Sequence, residues 1–182
     1  MQTTSPTTRG ELLAAIVETN KALVVRYLAG FNDVTHVRQT PDLPNHLAWQ
    51  LGHLAFTIHR VAAMLDAQPL PTKDFITADG FGGSREKGYF DTEAIVFGSR
   101  PEERHDRFPK LERCTEIFSS ACDRLSAAAA AVPDARLDEV VPWGQAQFPL
   151  WALIARMVFH NGFHTGQIAD MRRALSFKSV FA

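Results

Sequence analysis

Two of the chain's seven histidines, His160 and His164, stand four residues apart in the stretch MVFHNGFHTGQ, residues 157–167. In a helix this spacing puts both imidazoles on one side, one above the other. That side is not the polar one. Stepping about 100° per residue, Leu150, Leu153, Met157, His160, His164, Ile168, Met171 and Leu175 form a single stripe. Polar rings in an apolar seam need partners, because burial without a hydrogen bond is costly. A helical His-x-x-x-His pair joined by one imidazole from a facing helix holds a divalent transition metal. Such ligands are neutral, so the ion keeps its full charge and an open position, and lowers the pKa of a bound water or thiol. The same spacing also describes two hydrogen-bonded core histidines, so the pair alone does not decide.

The third ligand must come from another helix. Between about Pro44 and Leu65, one apolar band holds Leu47, Leu51, Leu54, Ile58, Val61 and Leu65, and a second holds Trp49 and Phe56, about 160° away. His46, Gln50, His53, Thr57 and Met64 lie between the bands. His53, beside Gly52, is at the middle of this wide face and is the expected third ligand. His46 shares its azimuth but lies two turns, about 10 Å, nearer the helix start. His59 points the other way, alongside Asp66, and is expected in solvent. His36 lies in a loop and His105 before the third long helix, with no helical context to aim either inward. Gln167, three residues past His164, and Gln50, one turn before His53, are candidates to orient a ligand from behind. Each amide reads equally as a helix-surface or capping group, as does Thr57. Trp49 reads as core, and Arg172 and Arg173 as cations favoured in a helix's last turn.

Four long helices carry these residues. The first spans about Arg9 to Phe31, opened by a Thr8/Glu11 capping box and patterned by Leu12, Leu13, Ile16, Val17, Leu23, Val24, Tyr27 and Leu28. The second spans about Pro44–Leu65, the third about Lys110–Ala131, and the fourth about Pro149–Leu175. Each is about 30 Å long, and such matched lengths predict an all-α four-helix bundle. Residues 67–107 form a crossover long enough to traverse the bundle and let helices two and three run parallel, with a short helix at 91–97. Residues 132–148 read as an extended loop with a small hairpin around Gly144. The walls of any pocket above the histidines would come from these two connections. The GFGGSREKG segment is no phosphate cradle, since it lacks the P-loop pattern and no strand precedes it.

Composition removes several alternatives. Net charge is −1 and the cations are scattered, whereas phosphate binding needs them concentrated, so nucleic acid is not an expected partner. The start, MQTTSPTTRGELL, has no apolar run behind a basic segment, and no segment approaches the roughly 18 apolar residues of a membrane span. Cys114 and Cys122 lie eight apart in one helix, about 12 Å along its axis, too far to bridge. They read as small core residues in a reduced, cytoplasmic protein. No serine or cysteine nucleophile stands out, and the carboxylates fall on polar faces.

The segments NHLAWQLGHLAFTIHRVAAML and HNGFHTGQIADMRRAL resemble the DinB-like family of metalloenzymes. The match spans helix two to the C-terminus, with helix one similar by pattern only. Its most specific parts are W-x-L-G-H-L and H-x-x-x-H-x-G-Q-I-x-x-x-R-R. The resemblance implies one domain over residues 1–182, a bundle of up-down-down-up topology, and a metal held by His53, His160 and His164, with homodimers common. It also implies transferases or isomerases that use low-molecular-weight thiols such as mycothiol or bacillithiol, beside members known only as metal-binding proteins. A small thiol and an electrophile are therefore the expected partners of an enzyme, and a stress-response metal binder is the alternative. Zinc, nickel and iron all suit imidazole. One departure is Ser176, where relatives often have glycine after the RRAL-like segment.

Overall fold

Thr8 opens the first helix as the capping box requires. Its hydroxyl accepts from the Glu11 N–H at 3.1 Å, and the Glu11 carboxylate accepts from the Thr8 N–H at 3.2 Å, satisfying two donors that a helix start leaves free. A computed structural model describes residues 6–77 and 86–181. The expectations for residues 1–5 and for the GFGGSR part of the glycine-rich segment lie outside them.

The described helices are α1 (Arg9–Tyr27), α2 (Leu47–Asp66), α3 (Thr92–Ile95), α4 (Leu111–Ala131) and α5 (Leu150–Ala174). The four long helices and the short one at 92–95 are those expected, with shifted ends. α1 stops at Tyr27 rather than Phe31. α2 begins three residues after Pro44 because His46 caps it, its Nδ1 accepting from the Trp49 N–H at 3.1 Å. Imidazole is outside the usual set of capping side chains, so this start carries no cue in the sequence.

Fifteen of the twenty α2 residues are buried, which makes α2 the central element. It packs against α4 and α5, and α1 packs against the same two helices, so one core lies among the four. Leu51, Leu54, Ile58, Ile117, Phe118 and Leu125 are fully buried in it. α1 departs from expectation. Val17 and Val24 turn inward, but Leu12, Ile16 and Leu23 are 40–49% exposed, because the apolar positions of α1 cover more than the one face that meets α4 and α5.

The all-α expectation needs a correction: the fold is mostly helical, with two small sheets among the described residues. β1 (Phe75–Ile76) pairs in parallel with β2 (Phe90–Asp91), and β3 (Val140–Trp143) pairs antiparallel with β4 (Ala146–Pro149). The second ladder is the anticipated hairpin, turning at Gly144 with φ +63°, where a glycine carries no steric penalty. The first ladder was invisible, since two-residue strands have no period to read.

Two termini shape the rest. α5 ends in a Schellman motif, with the Ser176 N–H bonded to Arg173 O and the Phe177 N–H to Arg172 O at 2.9 Å. Ser176 takes φ +58° there, a conformation costing a non-glycine residue about 1–2 kcal/mol, at the position where the resemblance led one to expect glycine. Arg172 is no solvated dipole partner. It is buried and donates to the carbonyls of Tyr27, Ala29 and Lys178, tying the C-terminal segment to the end of α1. No described helix is long and apolar enough to cross a membrane.

Candidate metal centre

Packing of α2 on α5 brings His53 against His160 and His164. Their ring centroids are 5.0, 5.4 and 4.8 Å apart, and one nitrogen from each lies within 4.8 Å of the others. The Nε2 atoms of His53 and His160 are 3.2 Å apart. His53 and His164 are buried and His160 is half-buried.

The remaining histidines stay apart from this cluster. His46 caps α2 and places Nε2 3.2 Å from Glu102 O. His36, in its loop, is nevertheless fully buried, with Nε2 2.9 Å from Pro109 O. His59 corrects the expectation of a solvated ring. It is 1% exposed, its ring edge faces Phe75 at 5.6 Å, and its Nδ1 is 3.2 Å from an Arg124 nitrogen. The segment around β1 folds over that side of α2, which a helical wheel does not include.

His53 is held in one tautomer. Its Nδ1 is 2.9 Å from Ile95 O; a carbonyl only accepts, so Nδ1 carries the hydrogen and Nε2 presents a lone pair towards α5. Gly52 permits this bond. A Cβ there would meet the Phe90 ring at 2.7 Å and Ile95 at 3.0 Å, so α3 approaches α2 only because that atom is missing. Trp49 stacks on His53 at 4.6 Å and 10° between planes. Its indole N–H donates to Ser99 Oγ at 2.8 Å, and Ser99 donates to Ala94 O at 2.9 Å. The Thr57 hydroxyl donates to His53 O at 2.8 Å and so belongs to the helix backbone, not to the ring.

Burial keeps the rings neutral at ordinary pH. It pushes His160 down to about 4 and His164 down to about 3, each pushed further by the neighbouring imidazoles, and it lowers His53 as well. The Nδ1 atoms of His160 and His164 are buried without a hydrogen-bond partner among the described residues. So is Gln167 Oε1, whose amide stands beside His164 and favours its protonated form without reaching good hydrogen-bond geometry. Gln50 is turned elsewhere. Its Nε2 donates to Asn45 O at 3.3 Å, and it makes no hydrogen bond to His53.

This donor set fits a divalent ion. Three imidazole nitrogens sharing an ion at about 2.0–2.1 Å stand roughly 3.3 Å from one another, a spacing that His53 and His160 already have. The rings are neutral, as ligation requires, and the orphaned Nδ1 atoms mark groups that hydrogen bonding inside the protein does not satisfy. Neither cysteine competes. Burial pushes the Cys122 thiol up to about 12 and raises that of Cys114 too, leaving both inert.

A cleft of about 440 Å³ opens beside His53 and His160. Val96 and Phe97 from the long crossover and Trp143 and Gly144 from the hairpin form part of its wall, as the two connections were expected to do. Sequence reasoning missed two other lining residues, Arg60 and Arg156. A signal was available: Arg60 lies seven residues after His53 and Arg156 four before His160, helical spacings that return to the same face.

The class so defined is a mostly helical protein with three imidazoles converging between two helices at the foot of a cleft. The DinB superfamily matches residues 16–168, and the chain belongs to that superfamily. A solved structure described as a conserved protein from Enterococcus faecalis shares the fold with a TM-score of 0.65 at 12% identity, over 93% of this chain and 98% of that one. None of the curated proteins matches the chain.

Proposed function

We propose that this is a metal-dependent transferase that uses a low-molecular-weight thiol as nucleophile, with His53, His160 and His164 as the metal ligands. The observation carrying this reading is the convergence of three neutral imidazoles, one of fixed tautomer, beside an open cleft. A divalent ion bound there, zinc, nickel or iron, supplies the Lewis acidity that makes a thiol ionise near neutral pH. The chain does the rest. Ile95 O fixes the direction of the His53 lone pair, and Gln167, whose amide stands beside His164, is the side chain placed to orient that ring, a role Gln50 does not share. Phe97 and Trp143 give an electrophile an apolar wall to lie against. No Asp or Glu among the described residues lines the cleft, so the thiol proton passes to solvent rather than to a side chain.

The scaffold of this reading is one domain, a four-helix bundle of up-down-down-up topology working in the cytoplasm. It pairs as a homodimer through apolar surface such as Ile16 and Leu23 of α1, which line a shallow groove with Val158 of α5. A second reading, a metal-binding or stress-response protein without turnover, draws support from the same lack of an acid–base side chain at the cleft.

Metal analysis of gently purified protein and of His53→Ala, His160→Ala and His164→Ala tests the centre. One equivalent per chain is expected, with affinity at least about a hundredfold weaker in each variant. Conjugation assays with bacillithiol, mycothiol and glutathione against a panel of electrophiles then separate the readings. Metal without conjugation by any pair favours the binder; absence of stoichiometric metal removes both.

A further inference from the structure

The cleft contains two cations that the ligand set does not use. Arg60 projects from α2 and Arg156 from α5, and both line the cleft that holds His53 and His160. Elsewhere on the chain, arginines such as Arg9, Arg113, Arg124 and Arg136 pair with a carboxylate. Arg60 and Arg156 have no acidic partner among the described residues. Each guanidinium lies against an aromatic ring instead. Arg60 lies 4.7 Å over Trp143 and 5.9 Å from Phe56, and Arg156 lies 4.7 Å over Phe148. A cation held over a ring gains cation–π attraction without using up its N–H donors in a carboxylate pair.

The charge balance is local. The chain's net charge is −1, yet no described Asp or Glu lines this cleft, and an ion at the three histidines adds further positive charge. Phe56, Val96 and Phe97 line it without adding any counter-charge. An anion is what such a space attracts.

We infer that Arg60 and Arg156 make the cleft a site for a carboxylate-bearing small molecule, with its reacting end at the histidines and its acid at the arginines. The inference rests on the metal-centre reading above for that reacting end. Seven and four residues of helix separate the arginines from His53 and His160, roughly 10 Å and 6 Å along the axes, and a flexible arginine shortens either distance. The forked N–H geometry suits carboxylates. Because the two forks come from different helices, a ligand with two carboxylates engages both.

Calorimetric titration with mercaptosuccinate, an acidic thiol, and 1-thioglycerol, a neutral one of similar size, tests this on the zinc-loaded and the metal-free protein. The acidic thiol is expected to bind at least about tenfold more tightly, with the preference shrinking in about 0.5 M salt. The double variant Arg60→Gln/Arg156→Gln should lose the preference and keep its melting temperature, since both side chains are exposed. Equal affinities in the wild type, a preference surviving in the variant, or no binding of either compound overturns the inference. Failure of zinc to bind breaks the metal reading instead, and the metal-free titration then decides the role of the arginines.

Discussion

His53 and His59 lie six residues apart on α2, both buried, in opposite chemical surroundings. His59 sits among ions. Arg124 approaches its Nδ1 while holding Asp66 through two contacts of 2.8 Å and the carbonyls of Pro69 and Gln68. Asp66 and Asp74 both act to raise its pKa against the effect of burial. Among the described residues His53 has no carboxylate against it, but a backbone carbonyl, a stacked indole and two further imidazoles. One helix thus uses the same side chain twice. Among formal charges the ring is a peg that fastens the crossover; among its own kind it is a neutral ring whose lone pair faces another imidazole.

Removing the ions should show the first role at its largest. Arg124→Ala strands Asp66 and bares two carbonyls, and a loss of about 3 kcal/mol is expected, the low end for a buried pair because Asp66 keeps some contact with water. Urea denaturation measures it, and metal stoichiometry should not change. A variant that unfolds normally but loses metal would erase the distinction between the regions. Gly52→Ala acts on the other region. Its methyl must displace Phe90 and Ile95, costing about 1–3 kcal/mol, and it loosens the bond that orients His53, so metal affinity should fall about 10–100-fold. Equilibrium competition with a chelator reads this, and unaltered affinity would mean that the Ile95 carbonyl plays no part.

Acid sharpens the comparison by the smallest increments. Burial depresses His46 and His59 to about 4, below the unfolded value near 6.5. As pH falls, the unfolded chain therefore binds protons first. The stabilising contribution is complete above about pH 6.5 and drains away towards pH 4, on the order of 1 kcal/mol per pH unit for each ring. Denaturation of the metal-free protein across that range should give a slope that His59→Leu reduces. An identical slope in the variant would show that His59 does not titrate with folding.

The clustering of three histidines and the long helices were legible because both rest on the 3.6-residue period, which places His160, His164 and the stripe around them without further information. His53 followed from being central between two apolar bands. Other features depend on contacts between distant segments and leave no periodic trace. The burial of His59 needs β1, whose two residues are too short to read. The burial of His36 needs Pro109, distant in sequence. The cap at His46 uses an uncommon acceptor, and the exposed side of α1 carries the same leucines and isoleucines as its buried side. Ser176 was visible as a departure from the family pattern, but its strained φ was not. Gln50 and Gln167 looked equivalent by spacing; only the packing of α5 put one of them beside an imidazole.

The parallel stacking of Trp49 on His53 also makes the protein its own optical probe. An indole lying flat on an imidazole responds to any change of charge on that ring, while Trp143 borders the adjoining cleft and Trp151 stands nearly half in water. Were a cation bound at His53, intrinsic fluorescence is the expected readout, without a dye or tag, and a Trp151→Phe background would leave the two emitters nearest the event.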